Sequence, residues 1–399
     1  MKRSAHALRD ALAQLEAAQL RRVRATVEAF AAPGDRALVR VGGRTLVDFS
    51  SNDYLGLARH PGLAQAMRES AAVAGSGSAA SHLVSGHGAE HERLEEELAA
   101  FTARPRALLF STGYMANLAV VSALAGRGER VLLDRLSHAS LLDGALLSGA
   151  TLKRYPHADA GAAAELMAGQ PERTAVVATD GLFSMDGDLA PLPELARAAR
   201  AAGAWLIVDD AHGLGVIGAT GRGTLELLSV TGDDVPVLIG TLGKAFGSFG
   251  AFVAGGSDLI EYLIQKARPY IYTTALPQPV AAASRAALKT AQAEGWRRER
   301  LTTLIARFRG YAAEVRVPLS ASRTPIQPIV LGSEAAVLAA SQELRRCGLW
   351  VVAIRPPTVP RGSARLRVTL SAAHTEAQVD QLVEALGVCC RGLAGAPAA

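Results

Sequence analysis

Ala204-Trp205-Leu206-Ile207-Val208-Asp209-Asp210-Ala211-His212 is a short apolar run that follows a glycine and ends in two acids; Thr241-Leu242-Gly243-Lys244 comes after it, with Lys244 thirty-five residues beyond Asp209. The run reads as a buried parallel strand that delivers Asp209 at its C-terminal end. Outward from it, further apolar runs alternate with alanine-rich helical patterns: Ala107 to Phe110, Val131 to Leu133, Ala175 to Thr179, Val237 to Ile239 and Ala251 to Ala254. This alternation predicts an α/β fold, βα units around a mostly parallel sheet flanked by helices. Ligand sites in such open sheets gather beyond the carboxyl ends of the strands.

Either end of this pair has an ordinary reading when taken alone. Two acids at a strand end serve as loop acids or as the N-cap of the next helix, and a lone lysine is a solvated charge. Lys244, however, stands among Gly240, Gly243, Gly247 and Gly250, with Phe246 and Phe249 as its large neighbours. Desolvation in such a setting lowers an ammonium pKa toward the neutral amine that a Schiff base requires. A carboxylate at Asp209 and an amine at Lys244 match the two needs of pyridoxal 5'-phosphate (PLP): a partner that keeps the pyridine nitrogen protonated and a nucleophile for the aldehyde.

A phosphate needs exposed N–H groups, and Ser111-Thr112-Gly113-Tyr114-Met115-Ala116-Asn117 follows a strand and opens a helix that continues to about Leu124. Gly113 and Tyr114 therefore stand where an anion binds. Thr241 supplies a hydroxyl to the same phosphate. His138, in Asp134-Arg135-Leu136-Ser137-His138, reads as a ring that stacks on the cofactor, or as a hydrogen-bonded loop histidine. Ser184, within Phe183-Ser184-Met185-Asp186-Gly187-Asp188, and His212 are placed to donate to the cofactor's phenolic oxygen. Gly213-Leu214-Gly215-Val216-Ile217-Gly218 also fits a dinucleotide loop, but a lone Gly-x-Gly-x-x-Gly is weak, and it follows Asp209 and His212.

Composition sets the outer limits. The chain has 399 residues, 49% of them hydrophobic and 20% charged, with a net charge of +5 and no long basic run. An ordinary globular protein is implied, with neither nucleic acid nor membrane as partner. No apolar stretch approaches the roughly 20 residues of a membrane span and no signal-peptide core is seen, so a cytoplasmic location is expected. Cys347, Cys389 and Cys390 have no metal-ligand spacing and are expected to be reduced, with no metal bound. An opening helix is expected from Ala5 to Phe30, broken at Pro33-Gly34 and followed by a hairpin over residues 37–49. The expected division is an N-terminal segment 1–45, a large cofactor-binding domain 46–285 and a smaller α+β domain 286–399, the last with strands near Pro328 to Leu331, Trp350 to Ile354 and Arg365 to Leu370.

With these residues in hand, the chain resembles the α-oxoamine synthase family of fold-type I PLP enzymes over nearly its whole length. Ser50-Ser51-Asn52-Asp53-Tyr54-Leu55-Gly56-Leu57, Asp134 to Ser140, Phe183 to Asp188, Asp209 to Gly213 and Thr241 to Lys244 carry the likeness. The family joins an amino acid to an acyl thioester with loss of carbon dioxide. The stretch Ala353-Ile354-Arg355-Pro356-Pro357-Thr358, with its double proline after arginine, is similar to the branch that opens biotin precursor assembly. The resemblance implies L-alanine and a pimeloyl thioester, on coenzyme A or acyl carrier protein, as substrates.

It also implies roles. Lys244 is the Schiff-base lysine and the base at the alanine Cα; Asp209 protonates the ring; His138 stacks on it and serves as an acid. Arg355 grips the amino-acid carboxylate, Asn52 and Thr358 are further substrate contacts, and Arg21 meets the distal carboxylate or the carrier. For Arg21, beside Arg22 and Arg24, a solvated helical stripe is the competing reading. Thr273 and Thr274 correspond to residues that reach the partner subunit's phosphate, which implies a homodimer with shared sites. Two departures stand out: Asp180 where relatives often carry glutamate, and Gly86-His87-Gly88 after the glycine-serine loop that begins at Gly75, a loop expected to order on substrate binding. A sibling condensing glycine or serine, and a non-catalytic scaffold subunit, are the rival readings; the second is disfavoured because Lys244, Asp209, His138 and His212 are all present.

Overall fold

The computed structural model describes residues 5–28 and 37–394. Its contacts fall into two compact units: Asn52–Ser184 with Asp188–Glu299, and the remainder, Met1–Ser51, Met185–Gly187 and Arg300–Ala399.

The first unit is built on a seven-stranded sheet, with strands β1 (Arg106–Phe110), β2 (Arg130–Asp134), β3 (Thr151–Tyr155), β4 (Thr174–Asp180), β5 (Trp205–Asp209), β6 (Val237–Thr241) and β7 (Ala251–Gly255). Their order is β1-β7-β6-β5-β4-β2-β3. Neighbours from β6 to β3 are parallel, and β7 runs antiparallel to both β6 and β1. The sheet is buried on both sides, which explains the unbroken apolar runs. Strand alternation sorts those runs onto two faces. Val131, Leu133, Val176, Ala178 and Ile207 pack with Ala116, Ala119 and Val120 of helix Gly113–Leu124. Leu132, Val177, Leu206 and Val208 pack on the other side, with Leu195 and Ala199 of helix Leu192–Ala202. Each valine, leucine or isoleucine among them contributes about 1.5–3 kcal/mol by leaving water. Strand β3 is absent from the apolar-run reading because it is an edge strand carrying exposed Lys153 and Arg154.

The glycine-rich loop after His212 is explained by Asp210. Its side chain is fully buried, its Oδ2 accepts the Thr224 N–H at 2.7 Å, and burial pushes its pKa up to about 7. A Cβ on Gly213 would lie 2.1 Å from Asp210 Oδ1, and one on Gly223, at φ +87°, would lie 1.9 Å from Oδ2. These glycines wrap a carboxyl group; none is needed for a dinucleotide. Gly223→Ala is expected to cost about 2–4 kcal/mol, from strain at positive φ plus the clash. The check is a lower urea midpoint at unchanged slope; an unchanged midpoint would mean that Asp210 yields freely.

The second unit contains two small sheets. Leu38–Val41 and Arg44–Asp48 form a hairpin joined in parallel by Leu349–Trp350, and Ala364–Thr369 lies between Ile326–Gly332 and Ala353–Ile354. The expected strand Trp350 to Ile354 is thus two short strands in separate sheets. The opening helix is also shorter than its pattern suggests. It ends at Ala17, and Gln19 takes φ +55°. Its residues are exposed on nearly every side, so no packing extends it. Arg21 consequently sits on irregular chain and not on a helical stripe. Phe30 and Pro33-Gly34 lie outside the described residues.

Candidate active site

Asp209 ends β5 on the same face as Ile207, the face covered by helix Gly113–Leu124. That geometry selects its partner: the Asn117 amide donates to Asp209 Oδ2 at 2.6 Å, while the Ala211 N–H donates to Oδ1 at 3.0 Å. The carboxylate is held through both oxygens at a strand end, 7% exposed. Beside it in register on β4 stands Asp180, fully buried. Burial, followed by the Asp209 charge, pushes the Asp180 carboxyl well above its ordinary range.

Lys244 follows β6, the strand next to β5. A turn shapes the segment: the Thr241 hydroxyl donates to the Gly250 carbonyl at 3.1 Å, and the Gly247 N–H to the Lys244 carbonyl at 2.8 Å. Gly247 has φ +62°, and a Cβ there would meet the Ala58 nitrogen at 2.2 Å, so this turn presses directly on the chain after Leu57. The Asp53 carboxylate fixes that chain by accepting the Leu57 and Ala58 N–H groups at 2.7 and 3.0 Å. The two segments meet in a chain of side chains. Lys244 Nζ lies 2.7 Å from His212 Nε2, His212 Nδ1 lies 2.6 Å from Tyr54 Oη, and Tyr54 Oη lies 3.4 Å from Asn52 Oδ1. If the ammonium donates to Nε2, then Nδ1–H donates to Tyr54, whose proton points to Asn52.

His138 caps helix Ala139–Ser148 and its N–H donates to Asp180 Oδ2 at 2.9 Å. Its ring is open to solvent on one side. The protein around the rest still lowers the imidazole pKa, chiefly by desolvation, with Asp209 and Asp143 acting against this and Lys244 reinforcing it. Ser140 Oγ lies 2.6 Å from His138 Nδ1 and accepts from Asn117 Nδ2 at 2.8 Å.

A third histidine braces the loops that carry these groups. His157 bonds Asp134 at 3.0 Å and Asp188 at 2.7 Å, and the two carboxylates raise its pKa to about 10, Asp134 most. A raised folded-state pKa stabilises fully below the unfolded value of about 6.5 and loses that contribution as pH climbs through about 10. His157→Gln is therefore expected to lower stability by roughly 1–2 kcal/mol near pH 6, after solvent screening of its open edge. The gap from wild type should close toward pH 10; a pH-independent gap would exclude the ion pair as its source.

At the N-terminus of helix Gly113–Leu124, Thr112 accepts the Met115 N–H at 3.2 Å, leaving the first-turn N–H groups of Gly113 and Tyr114 without an intrahelical acceptor. Apart from Gly113 itself, its chain neighbours and the helix's own backbone, nothing lies within 4 Å of where a Gly113 Cβ would be. The Tyr114 hydroxyl donates to the Asp143 carboxylate. Ser184 is half-buried in the loop closed by the Phe183 N–H donating to the Asp188 carbonyl at 3.0 Å. Thr273 and Thr274 follow helix Arg268–Ile271, and Thr274, exposed, pairs with Ser81 in an isolated bridge. Ser81 precedes a single π-helical turn, His82–Gly86, within the glycine-serine segment.

The other unit gathers Arg21, Arg355 and Thr358. The Arg355 guanidinium donates to the Gln19 and Arg21 carbonyls, Arg22 Nη2 donates to Thr358 Oγ1 at 3.0 Å, and Arg21 pairs with Glu16 at 2.8 Å. Arg21, Trp350 and Arg355 line a cavity of about 670 Å³.

Sequence reasoning did not single out Tyr54, Asn117, Ser140 or His157. Asn117 did leave a trace, as the lone amide in the apolar helix sequence GYMANLAVVSAL. His157 left none, since both of its partners are distant in sequence.

A family model described as aminotransferase class I and II matches residues 44–386. The 8-amino-7-oxononanoate synthase of Methylococcus capsulatus is 59% identical over 377 residues, 94% of this chain and 96% of that protein. Among solved structures, an 8-amino-7-oxononanoate synthase from Francisella tularensis aligns with a TM-score of 0.75 at 32% identity, covering 87% of this chain and 98% of that one. A serine palmitoyltransferase from S. paucimobilis, solved with bound PLP-myriocin, aligns with a TM-score of 0.92 at 29% identity, covering 98% and 100%.

Proposed function

The chain belongs to the aminotransferase class I and II family, and from that premise we propose that it is a PLP-dependent acyltransferase condensing L-alanine with a pimeloyl thioester. The products are 8-amino-7-oxononanoate, carbon dioxide and the free thiol carrier, a step of biotin biosynthesis. The single observation that carries this reading is the amine of Lys244, 2.7 Å from His212 at the ends of adjacent strands, one of which also bears Asp209.

The residues present fit the cofactor. Helix-start N–H groups at Gly113 and Tyr114 suit its phosphate, Asp209 its ring nitrogen, Ser184 and His212 its phenolic oxygen, and Lys244 its aldehyde. When bound, PLP supplies an electron sink for the carbanion formed at the alanine Cα. Lys244 takes and returns the proton at that carbon, and its link to His212 and Tyr54 orients the amine. His138, neutral because desolvation lowers its pKa, offers an uncharged ring face and one N–H donor. Arg355 holds the alanine carboxylate in its guanidinium fork, with Thr358 and Asn52 as further substrate contacts and Arg21 for the distal acyl carboxylate or its carrier. Thr273 and Thr274 reach the partner subunit's phosphate in a homodimer. No helix among the described residues is long and apolar enough to cross a membrane, in keeping with a cytoplasmic enzyme.

The test is thiol release by purified protein given L-alanine and pimeloyl-CoA, beside glycine with acetyl-CoA or succinyl-CoA and L-serine with palmitoyl-CoA. Turnover with the first pair alone supports the reading. Preference for glycine or serine would overturn the substrates, and absence of a visible PLP band after reconstitution would overturn the cofactor.

A further inference from the structure

Asn117 is 1% exposed on a helix face whose other members are Ala116, Ala119, Val120 and Val121. An unbonded amide in such a place costs about 1–3 kcal/mol. Its Oδ1 indeed has no partner, yet Nδ2 commits both of its protons, one to Asp209 Oδ2 at 2.6 Å and one to Ser140 Oγ at 2.8 Å. Leucine would serve packing as well, so the two donated bonds are what this side chain provides.

We propose that Asn117 and Ser140 form a positioning relay that couples the Asp209 carboxylate to the His138 imidazole, so that one buried amide sets the orientation of the first and the tautomer of the second. The proposal rests on the PLP reading of this site. At one end, Asn117 and the Ala211 N–H fix the two Asp209 oxygens, leaving the carboxylate a single orientation. At the other, Ser140 Oγ accepts from Asn117 and so directs its own proton to His138 Nδ1, to which the Ser140 N–H also points at 3.3 Å. Nδ1 is thereby an acceptor and the ring proton is assigned to Nε2 by donor accounting. The charged and titratable groups around His138 are Asp209, Asp143, Lys244 and, through the backbone N–H, Asp180; the relay adds the neutral donor among them.

The test uses the full-length PLP-bound protein as wild type, Asn117→Leu, Ser140→Ala, the double variant and Ser140→Cys, which keeps the side-chain shape with a slightly larger, weaker donor. Three readouts are taken: the pH titration of the visible PLP band, the ¹⁵N histidine spectrum with His138 assigned by loss in His138→Gln, and kcat with KM. In Ser140→Ala only the longer Ser140 N–H contact to Nδ1 remains, so the His138 resonances should move from their wild-type positions and the acid limb of kcat should rise by about half to one pH unit, since the hydroxyl donor to the neutral ring has gone. Each single variant should lose about 10–100-fold in kcat with KM little changed. The double variant should lose no more than about twofold beyond the worse single, because both act through one chain. Ser140→Cys should shift the same observables less far. Losses that multiply, or a wild-type His138 spectrum in Ser140→Ala and Ser140→Cys, would overturn the relay. A wild type without a PLP band would instead overturn the reading beneath it.

Discussion

Lys244→Ala is expected to lower thiol release from L-alanine and pimeloyl-CoA by at least about 10⁴-fold, some 5 kcal/mol of transition-state stabilisation. The size follows from one amine holding two duties, the covalent anchor of the cofactor and the proton carrier at the alanine Cα. The turn itself should survive, because its bonds are the Thr241 hydroxyl to the Gly250 carbonyl and the Gly247 N–H to a backbone carbonyl, none of which uses the ammonium. Loss of the ammonium leaves His212 bonded to Tyr54 at 2.6 Å, so the second half of the chain of side chains also remains. Borohydride reduction should trap PLP on the wild-type chain and not on the variant, with thermal midpoints close together. Partial recovery by added methylamine would show that the missing function is an amine. A variant that kept more than about one hundredth of wild-type activity would remove Lys244 from the mechanism.

What the sequence made legible was set by chemistry that stays local. Asp209, His212 and Lys244 were readable because an apolar run delivers the acid and glycines surround the amine, and the structure puts them at the ends of neighbouring strands. The helix beginning at Gly113 was readable from its strand-turn context. The relay was not, because Asn117, Ser140 and Asp209 are 23 and 92 residues apart along the chain and meet only when β5 lies against helix Gly113–Leu124. Tyr54 escaped notice for the same reason, its partner His212 being 158 residues away. The edge strand β3 and the early end of the first helix failed differently. There, pattern and propensity lacked the tertiary packing that decides them: Lys153 and Arg154 are tolerated in an edge strand, and an amphipathic pattern with no partner surface does not continue as helix. Asp210 shows the converse, a residue adjacent to the site whose glycine collar serves only the fold.

Asp209→Asn is expected to reduce kcat by about 10³-fold, close to 4 kcal/mol, while leaving the packing of β5 unchanged. The substitution is isosteric, and an amide oxygen can still accept from Asn117 or from the Ala211 N–H, so the bonds that hold Asp209 in the native chain are largely replaceable. What cannot be replaced is the charge that keeps a ring nitrogen protonated, and the affinity for PLP should fall together with kcat. Asp180 provides an internal check. Burial and then the Asp209 charge push its carboxyl well above the ordinary range, so neutralising Asp209 should bring its pKa down. It does not rescue the reaction, because Asp180 Oδ2 is committed to the N–H of His138, the cap of helix Ala139–Ser148. Asp209→Glu separates charge from position: it retains the carboxylate but moves it by one methylene, and a loss of only about 10–100-fold is expected. If the asparagine variant matched wild type while the glutamate variant failed, Asp209 would act by shape alone and its assignment as the ring-nitrogen partner would fall. The predicted order, asparagine worse than glutamate with both folded, follows only if the charge at the end of β5 is what the buried amide of Asn117 is there to hold in place.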